Sequence, residues 1–277
     1  MRRVAISGAS GFVGRAVVAA LPSANYETVA LARNSNAVDG YDAVIHLRGE
    51  SVSGRWTAAK KAAIATSRVD GTRELVASLA AAKSRPRVLV CASAVGYYGD
   101  RGEEMLVESS APGNDFLADV CVRWEAAARE AEALGVRVVI LRFGVVLGNN
   151  GGALAQMKLP FSLGLGGPMG NGRQFLPWIA LADVAALCRF ALENEGLRGP
   201  YNAVAPEIVT NAQFARALGG ALKRPAILPA PAFALRVVLG EFAETLLASQ
   251  RVLPAGVRAA GFTWRYTTLD AALAASV

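Results

Sequence analysis

Arg3-Val4-Ala5-Ile6-Ser7-Gly8-Ala9-Ser10-Gly11-Phe12-Val13-Gly14-Arg15-Ala16-Val17 is the stretch that decides the fold. Arg3 to Ser7 is a short apolar, partly β-branched run and reads as a strand. Phe12 to Leu21 has helical spacing. Between them Gly8, Gly11 and Gly14 form G-x-x-G-x-x-G. Glycines allow a tight strand-to-helix turn and let backbone N–H groups of Ser10, Gly11, Phe12 and Val13 approach a phosphate, and the helix N-terminus adds favourable partial charge. A glycine triplet alone is weak evidence. At the first strand-helix junction of an alternating chain it is a specific signal for a dinucleotide pyrophosphate.

The end of the second strand, read over Thr28 to Ala32, distinguishes between cofactors. An acidic side chain there would hold a ribose 2′-hydroxyl, whereas arginine suits a 2′-phosphate. The chain has Ala32-Arg33-Asn34-Ser35, with Arg33 19 residues past Gly14 and no acid beside it. Its guanidinium fork matches phosphate geometry, so NADP(H) is expected over NAD(H).

Further along, strands are read at Ala43 to Leu47, Arg87 to Cys91, Val136 to Leu141 and Pro200 to Val204. Helices are read at Thr57 to Ala82, Phe116 to Leu134, Gly152 to Leu163, Leu181 to Asn194, Asn211 to Leu222 and Val237 to Ser249. Strands alternating with helices imply parallel pairing through right-handed crossovers, and the uniformly apolar strands suit a sheet covered on both faces. The expected fold class is therefore a doubly wound α/β domain over residues 1–224, with a smaller C-terminal part over 225–277. Only Asn34 to Asp42 separate the second strand from the third, too few for the usual crossover helix and an adenine-side strand.

Composition narrows the function classes. The 277 residues are 53% hydrophobic and 18% charged, below the roughly 25% charge of an average chain, which excludes disorder. No uncharged run reaches the roughly 20 apolar residues of a membrane span. Arg2 and Arg3 before an apolar run resemble an export leader, but Arg15 interrupts it and the glycines have a better use, so a cytoplasmic protein is expected. The three cysteines, Cys91, Cys121 and Cys188, have neither zinc nor disulfide spacing, and His46 is the sole histidine; no metal site is expected. Net charge is +7, favouring anionic ligands. The basic clusters Arg55-Lys60-Lys61 and Lys83-Arg85-Arg87 lack interleaved aromatics, so they read as solvated helix ends and no nucleic-acid partner is expected.

Several segments together resemble the extended short-chain dehydrogenase/reductases, and within them an atypical NAD(P)-dependent epimerase-like branch, some of whose members carry a name tied to cell-division inhibition. The glycine turn is one. Others are Arg55-Trp56 with Lys60-Lys61 and Ser67-Arg68, Ala92 to Gly99 with Ser93 in the middle, Phe116-Leu117 with Trp124-Glu125, Gly164 to Gly167, Gly172-Arg173-Gln174, Asn202 to Pro206, and Arg251 to Pro254 in a C-terminal domain of unknown function. The resemblance implies a Rossmann-like domain with a substrate-side part.

It also implies a Tyr-x-x-x-Lys pair, tyrosine as proton donor and lysine lowering its pKa. Counting back from Glu125 puts Cys121 at the lysine position and Leu117 at the tyrosine position. Neither side chain can do that chemistry. Ser93, just past a strand end, is expected to bind the reacting oxygen, with Tyr98 the candidate acid. Leu47 and Arg48 end the third strand beside the cofactor, and Arg48 reads as a contact to pyrophosphate or substrate, whereas His46 reads as packed. Arg142, Gln174 and Trp178 are expected on the substrate side. Ala180 stands where the resemblance would put a histidine. Three functions stay open: an NADP(H) oxidoreductase or epimerase-like enzyme acting on a small polar metabolite, a non-catalytic NADP(H)-dependent regulator with a protein partner, and a pure interaction protein.

Overall fold

The computed structural model describes residues 1–21, 25–32, 37–149 and 151–277. Arg33 and its neighbours to Asn36, on which the cofactor choice turns, lie outside them.

The chain runs β1 (Arg2–Ser7), α1 (Phe12–Ala20), β2 (Tyr26–Leu31), β3 (Ala43–His46), α2 (Ala58–Ala81), β4 (Val88–Ala94), β5 (Met105–Leu106), α3 (Phe116–Arg129), β6 (Arg137–Phe143), β7 (Val145–Leu147), α4 (Gly152–Ser162), β8 (Trp178–Ala180), α5 (Leu181–Glu193), β9 (Gly199–Ala203), α6 (Asn211–Leu222), α7 (Ala232–Leu239), α8 (Phe242–Leu247), β10 (Arg251–Val252), α9 (Ala255–Ala259) and α10 (Leu269–Ala274). Six of these strands form one sheet in the order β2-β1-β3-β4-β6-β9, and every pairing is parallel. Its strands are apolar on both sides because helices cover both faces. Val4, Ile6, Val88, Val90, Val139 and Leu141 pack against α1 and α5. Leu89, Cys91, Val138 and Ile140 face α2 and α3, with Leu75, Leu79 and Trp124.

Among the described residues β2 pairs only with β1, and β3 lies on the other side of β1. The short second connection thus leaves β2 as the sheet edge. The chain direction reverses across the sheet between β1 and β3, and at such a point ligands bind beyond the carboxyl ends of the strands.

Two helix ends show how polar groups fix the frame. Arg85 donates to Leu79 O, Ala80 O and Leu134 O, closing α2 with side-chain hydrogen bonds. The buried Arg137 does the same at the end of α5, donating to Ala191 O, Asn194 O and Leu197 O. Arg85, one of the bases expected to be solvated, and Arg137 thus both serve the backbone.

Two expectations are corrected. The helix read over Val237 to Ser249 is two short helices, because Gly240 at φ +61° breaks it. The strands read to Cys91 and Leu141 run on to Ala94 and Phe143, which relocates two candidate residues. From residue 225 onward the chain packs into shared cores: Val257 and Phe262 join the cluster under β1 and β6, and Leu269, Ala272 and Leu273 pack with α6. Asp183 at the start of α5 helps hold this segment, accepting from the backbone N–H groups of Arg265 and Tyr266. Among the described residues no helix is long and apolar enough to cross a membrane.

Candidate functional site

The glycine turn is shaped by close approach. Gly8 sits at φ +76°, and a Cβ there would lie 2.9 Å from Leu47 C and O and 3.0 Å from Arg48 N. The ends of β1 and β3 therefore touch at this point. At Gly14 a Cβ would come within 2.1 Å of Gly8 O, so the first turn of α1 lies directly on the loop. Gly11 N donates to Gly8 O at 3.0 Å, closing the turn. Gly11 is also the N-cap of α1 and has no side chain to cap it, and the first turn carries no acid. The N–H groups of Phe12, Val13 and Gly14 are left facing outward, which is what an anion at a helix start requires. The residues present fit a pyrophosphate.

Side chains around the turn divide into two groups. Arg15 donates to Ser10 O at 2.8 Å and stiffens the loop. Arg48, half-buried, makes no hydrogen bond or ion pair among the described residues and is free to meet a phosphate. The Phe12 ring packs against the glycines of the loop before α4: a Cβ on Gly151 or Gly152 would lie 2.5 or 2.7 Å from it. Phe12 thus contributes its backbone to the turn and its ring to that loop. His46 is fully buried, with Nδ1 on the Ser7 hydroxyl and Nε2 3.1 Å from Thr72 Oγ1. Burial and, second, the Arg48 charge hold its pKa down to about 4, so it is a neutral packed residue.

Two strand spacings from β1, about 10 Å, the carboxyl ends of β4 and β6 open into a cavity of about 290 Å³. Its inner wall is Ala94, Val95, Gly96, Leu117, Cys121, Phe143 and Gly144, and its outer wall includes Met157, Met169, Phe175, Phe242 and Leu246. Most of this surface is apolar, contrary to the expected pocket for a polar metabolite. A larger hollow of about 440 Å³ lies at the opposite, amino-terminal edge of the sheet, beside Arg2, Arg87 and Arg137. Ligands of open α/β sheets bind at the carboxyl edge, so the smaller cavity is the candidate site.

Several expected site residues are elsewhere. Because β4 and β6 run past their expected ends, Ser93 and Arg142 are register partners inside the sheet. Period two continues Leu89-Cys91-Ser93 and Val138-Ile140-Arg142 down the face that meets α3. There Glu125 takes both. Arg142 donates to it through Nε and Nη2, each at 2.7 Å, and Ser93 Oγ donates to Glu125 Oε1 at 2.7 Å. Arg142 Nη1 also donates to Tyr98 Oη at 2.9 Å, and its guanidinium lies 3.5 Å from the centre of the Tyr97 ring. Burial alone would lower the Arg142 pKa, but the Glu125 bonds and charge outweigh it and hold the group firmly protonated. The hydroxyl of Tyr98 donates within reach of Asn202 Oδ1 and Val107 O, and burial raises its pKa. Ser93, Tyr98 and Arg142 thus form a closed polar core behind the cavity wall. The structure places Tyr98, Ser93 and Arg142 in this core, bonded to one another or to Glu125, and not among the residues that line the cavity. Trp178, in β8, is likewise buried among Leu147, Leu154 and Phe214. Gln174 does line the cavity, donating to Met169 O at 3.0 Å.

The wall at the two altered positions is apolar as read. Leu117 and Cys121 line the cavity, and burial pushes the Cys121 thiol up to about 12. Leu117 has no ionisable proton, and the raised Cys121 thiol keeps its own near neutral pH.

One residue of the resembling segments has no expected role in the site. Arg68, on α2, is the only charged group in the cavity wall among the described residues. It occupies the buried stripe Ile64, Arg68, Thr72, Leu75, and a charge on the apolar stripe of a helix was the signal available in the sequence. The segment before it closes the cavity. Arg55 Nη1 donates to Val237 O at 3.1 Å, Lys61 pairs with Glu241 at 2.8 Å, and Trp56 packs edge-on against Phe116 and, tilted, against Phe242. Arg55, Trp56 and Lys61 thus tie α7 and α8 across the mouth.

A parallel doubly wound sheet, an uncapped glycine turn at its reversal point and a cavity at the same edge define a Rossmann-type dinucleotide-binding protein. The comparisons with known proteins agree. The chain belongs to the NAD dependent epimerase/dehydratase family, whose model matches residues 4–203; a domain of unknown function, DUF1731, matches residues 230–276. An epimerase family protein of Mycobacterium bovis is 39% identical over 290 residues, covering 98% of this chain and 96% of that protein. The crystal structure of human epimerase family protein SDR39U1 (isoform 2) with NADPH superposes with a TM-score of 0.92 at 35% identity, covering 98% of each chain. A nucleoside-diphosphate sugar epimerase from Corynebacterium glutamicum is also 35% identical, with a TM-score of 0.81, and this chain covers 58% of its length.

Proposed function

We propose that the chain binds NADP(H), with the pyrophosphate on the glycine turn and the nicotinamide end in the apolar cavity, and exchanges hydride there with a small carbonyl or alcohol ligand. The observation that carries this reading is the uncapped start of α1 beside the unpaired Arg48, at the same edge of the sheet as the apolar cavity. The NADPH in the SDR39U1 structure supports the phosphorylated cofactor, and Arg33 is the residue proposed for its 2′-phosphate.

When bound, the cofactor supplies the hydride or accepts it. The protein's part is positioning and exclusion of water. Gly8, Ser10, Gly11, Phe12, Val13 and Gly14 offer backbone to the pyrophosphate, with the Leu47 backbone closing the turn and Arg48 adding charge. Leu117, Cys121, Phe143 and Pro177 make the inner cavity dry. With no acid in that wall among the described residues, the proton reaches the ligand oxygen from solvent at the mouth of the cavity and not from its dry inner wall, and a slow reaction follows.

A second reading, an NADP(H)-dependent regulator with a protein partner, is favoured by the absence of that acid and by the exposed apolar side chains Phe233, Val237 and Val238 on α7. Mixing the protein and NADPH with a panel of aldehydes and ketones, and following the nicotinamide absorbance, separates the two. Oxidation with any member supports the enzyme. NADPH that binds yet is never oxidised points to the regulator.

A further inference from the structure

We infer that the cavity is a binding site for an apolar monocarboxylate, whose carboxylate is held by Arg68. The inference deepens the reading above and rests on it for the side of the sheet and for the neighbouring cofactor.

The Arg68 charge is out of keeping with its surroundings. Arg68 stands in a wall otherwise made of apolar and uncharged groups, yet it forms no ion pair among the described residues. The nearest carboxylate in electrostatic reach is that of Glu50, which is 2.8 Å from Lys60 Nζ. Burial lowers the Arg68 pKa, and the Cys121 and Glu50 sites only partly oppose it. A cation in such a place costs free energy unless something compensates it.

The guanidinium is nevertheless fixed in place. Nη1 donates to Glu50 O at 2.9 Å and to Ile64 O at 3.3 Å. Its carbon lies 5.2 Å from the centre of the Trp124 ring. It also lies close to Gly49, where a Cβ would meet Cζ at 3.2 Å and Nη2 at 3.3 Å. One nitrogen is thus anchored on backbone oxygens. Nε and Nη2 have no protein acceptor among the described residues. An anchored guanidinium with two open donors can bind a carboxylate in two parallel hydrogen bonds.

The rest of the wall describes the remainder of the ligand. Leu117, Val120, Met157, Phe175, Phe242 and Leu246 offer no charge and little polarity. The cavity of about 290 Å³ also receives the nicotinamide end in the reading above, so the room beside it suits one small ring or short branched chain. Ser53, Gln174, Thr245 and Gln250 are the other polar residues of the lining.

The test uses two probes of the same shape, trans-cinnamate and cinnamamide, titrated calorimetrically into the purified full chain near neutral pH. The carboxylate is expected to bind about tenfold or more tightly than the amide. Arg68→Gln is expected to remove that preference while leaving the weak amide binding, and Arg68→Lys to keep part of it. Equal affinity for the two probes in the unaltered protein overturns the inference whether or not the variants fold, as does a preference that survives Arg68→Gln. A parallel NADPH titration of the unaltered protein keeps the two readings apart. NADPH binding without cinnamate preference sinks this inference alone; cinnamate preference without NADPH binding sinks the cofactor reading alone.

Discussion

Replacing Glu125 by Gln tests whether the polar core behind the cavity is held by charge. Both Glu125 oxygens are used, Oε1 by Ser93 and Arg142 Nε, and Oε2 by Arg142 Nη2. The paired side chains are 2% and 5% exposed, so solvent screening is slight. Glutamine keeps one acceptor but turns an N–H₂ toward a guanidinium nitrogen and leaves Arg142 buried without a counter-charge. Removing one partner of such a pair costs about 3–5 kcal/mol. For a chain of this size that is a fall in Tm of roughly 6–20 °C. Urea denaturation of Glu125→Gln, Arg142→Met and the double variant Glu125→Leu/Arg142→Met is the assay. The double variant is expected to lose clearly less than the two single changes combined, because the cost lies in the orphaned charge. A loss below about 1 kcal/mol for Glu125→Gln, or strictly additive losses, would refute the reasoning.

Other outcomes follow from the same contacts. Gly14→Ala would gain up to about 1 kcal/mol in helix propensity, but its Cβ would fall 2.1 Å from Gly8 O. Strain wins, and a net loss of about 1–3 kcal/mol with weakened NADPH binding is expected by urea denaturation and calorimetry. His46 is a base whose folded pKa, about 4, lies below its ordinary value of 6.5. Its contribution is complete above that ordinary value and is lost as pH falls toward 4, at most about 3 kcal/mol; His46→Gln should flatten stability between about pH 7 and pH 4.5. As the sole histidine, its NMR ring signals should not titrate near neutral pH. Cys121→Lys would put an ammonium in the apolar wall beside Arg68 and cost a few kcal/mol. Adding Arg68→Met should recover part of that, as read by the urea midpoint, and full stability of Cys121→Lys alone would contradict the placement of both residues.

Much of the cofactor half was legible because its signals are local. A glycine triplet between a strand and a helix specifies backbone approach, and the structure shows the approach in the Gly8–Leu47 and Gly14–Gly8 contacts. The sheet edge at β2 was legible from chain length alone, since too few residues follow it to build another strand. The cavity side is not legible, for one physical reason. A polar residue after an apolar run reads locally as the end of a strand, yet Ser93 and Arg142 continue the sheet because Glu125 on α3 satisfies them. That partner lies 32 residues from Ser93, beyond the reach of any local pattern. Arg68 lay within reach, as a cation on a buried helical stripe, but its meaning depends on Gly49 and Trp124 arriving from other elements.

The glycine turn is proposed to hold a phosphorylated nicotinamide dinucleotide. The most direct test is calorimetric titration of the unaltered protein with NADPH and with NADH, repeated on Arg48→Ala and Arg33→Ala. NADPH is predicted to bind, NADH more weakly, with Arg48→Ala weakening both and Arg33→Ala removing the difference between them. An unaltered protein that binds neither nucleotide would contradict the account.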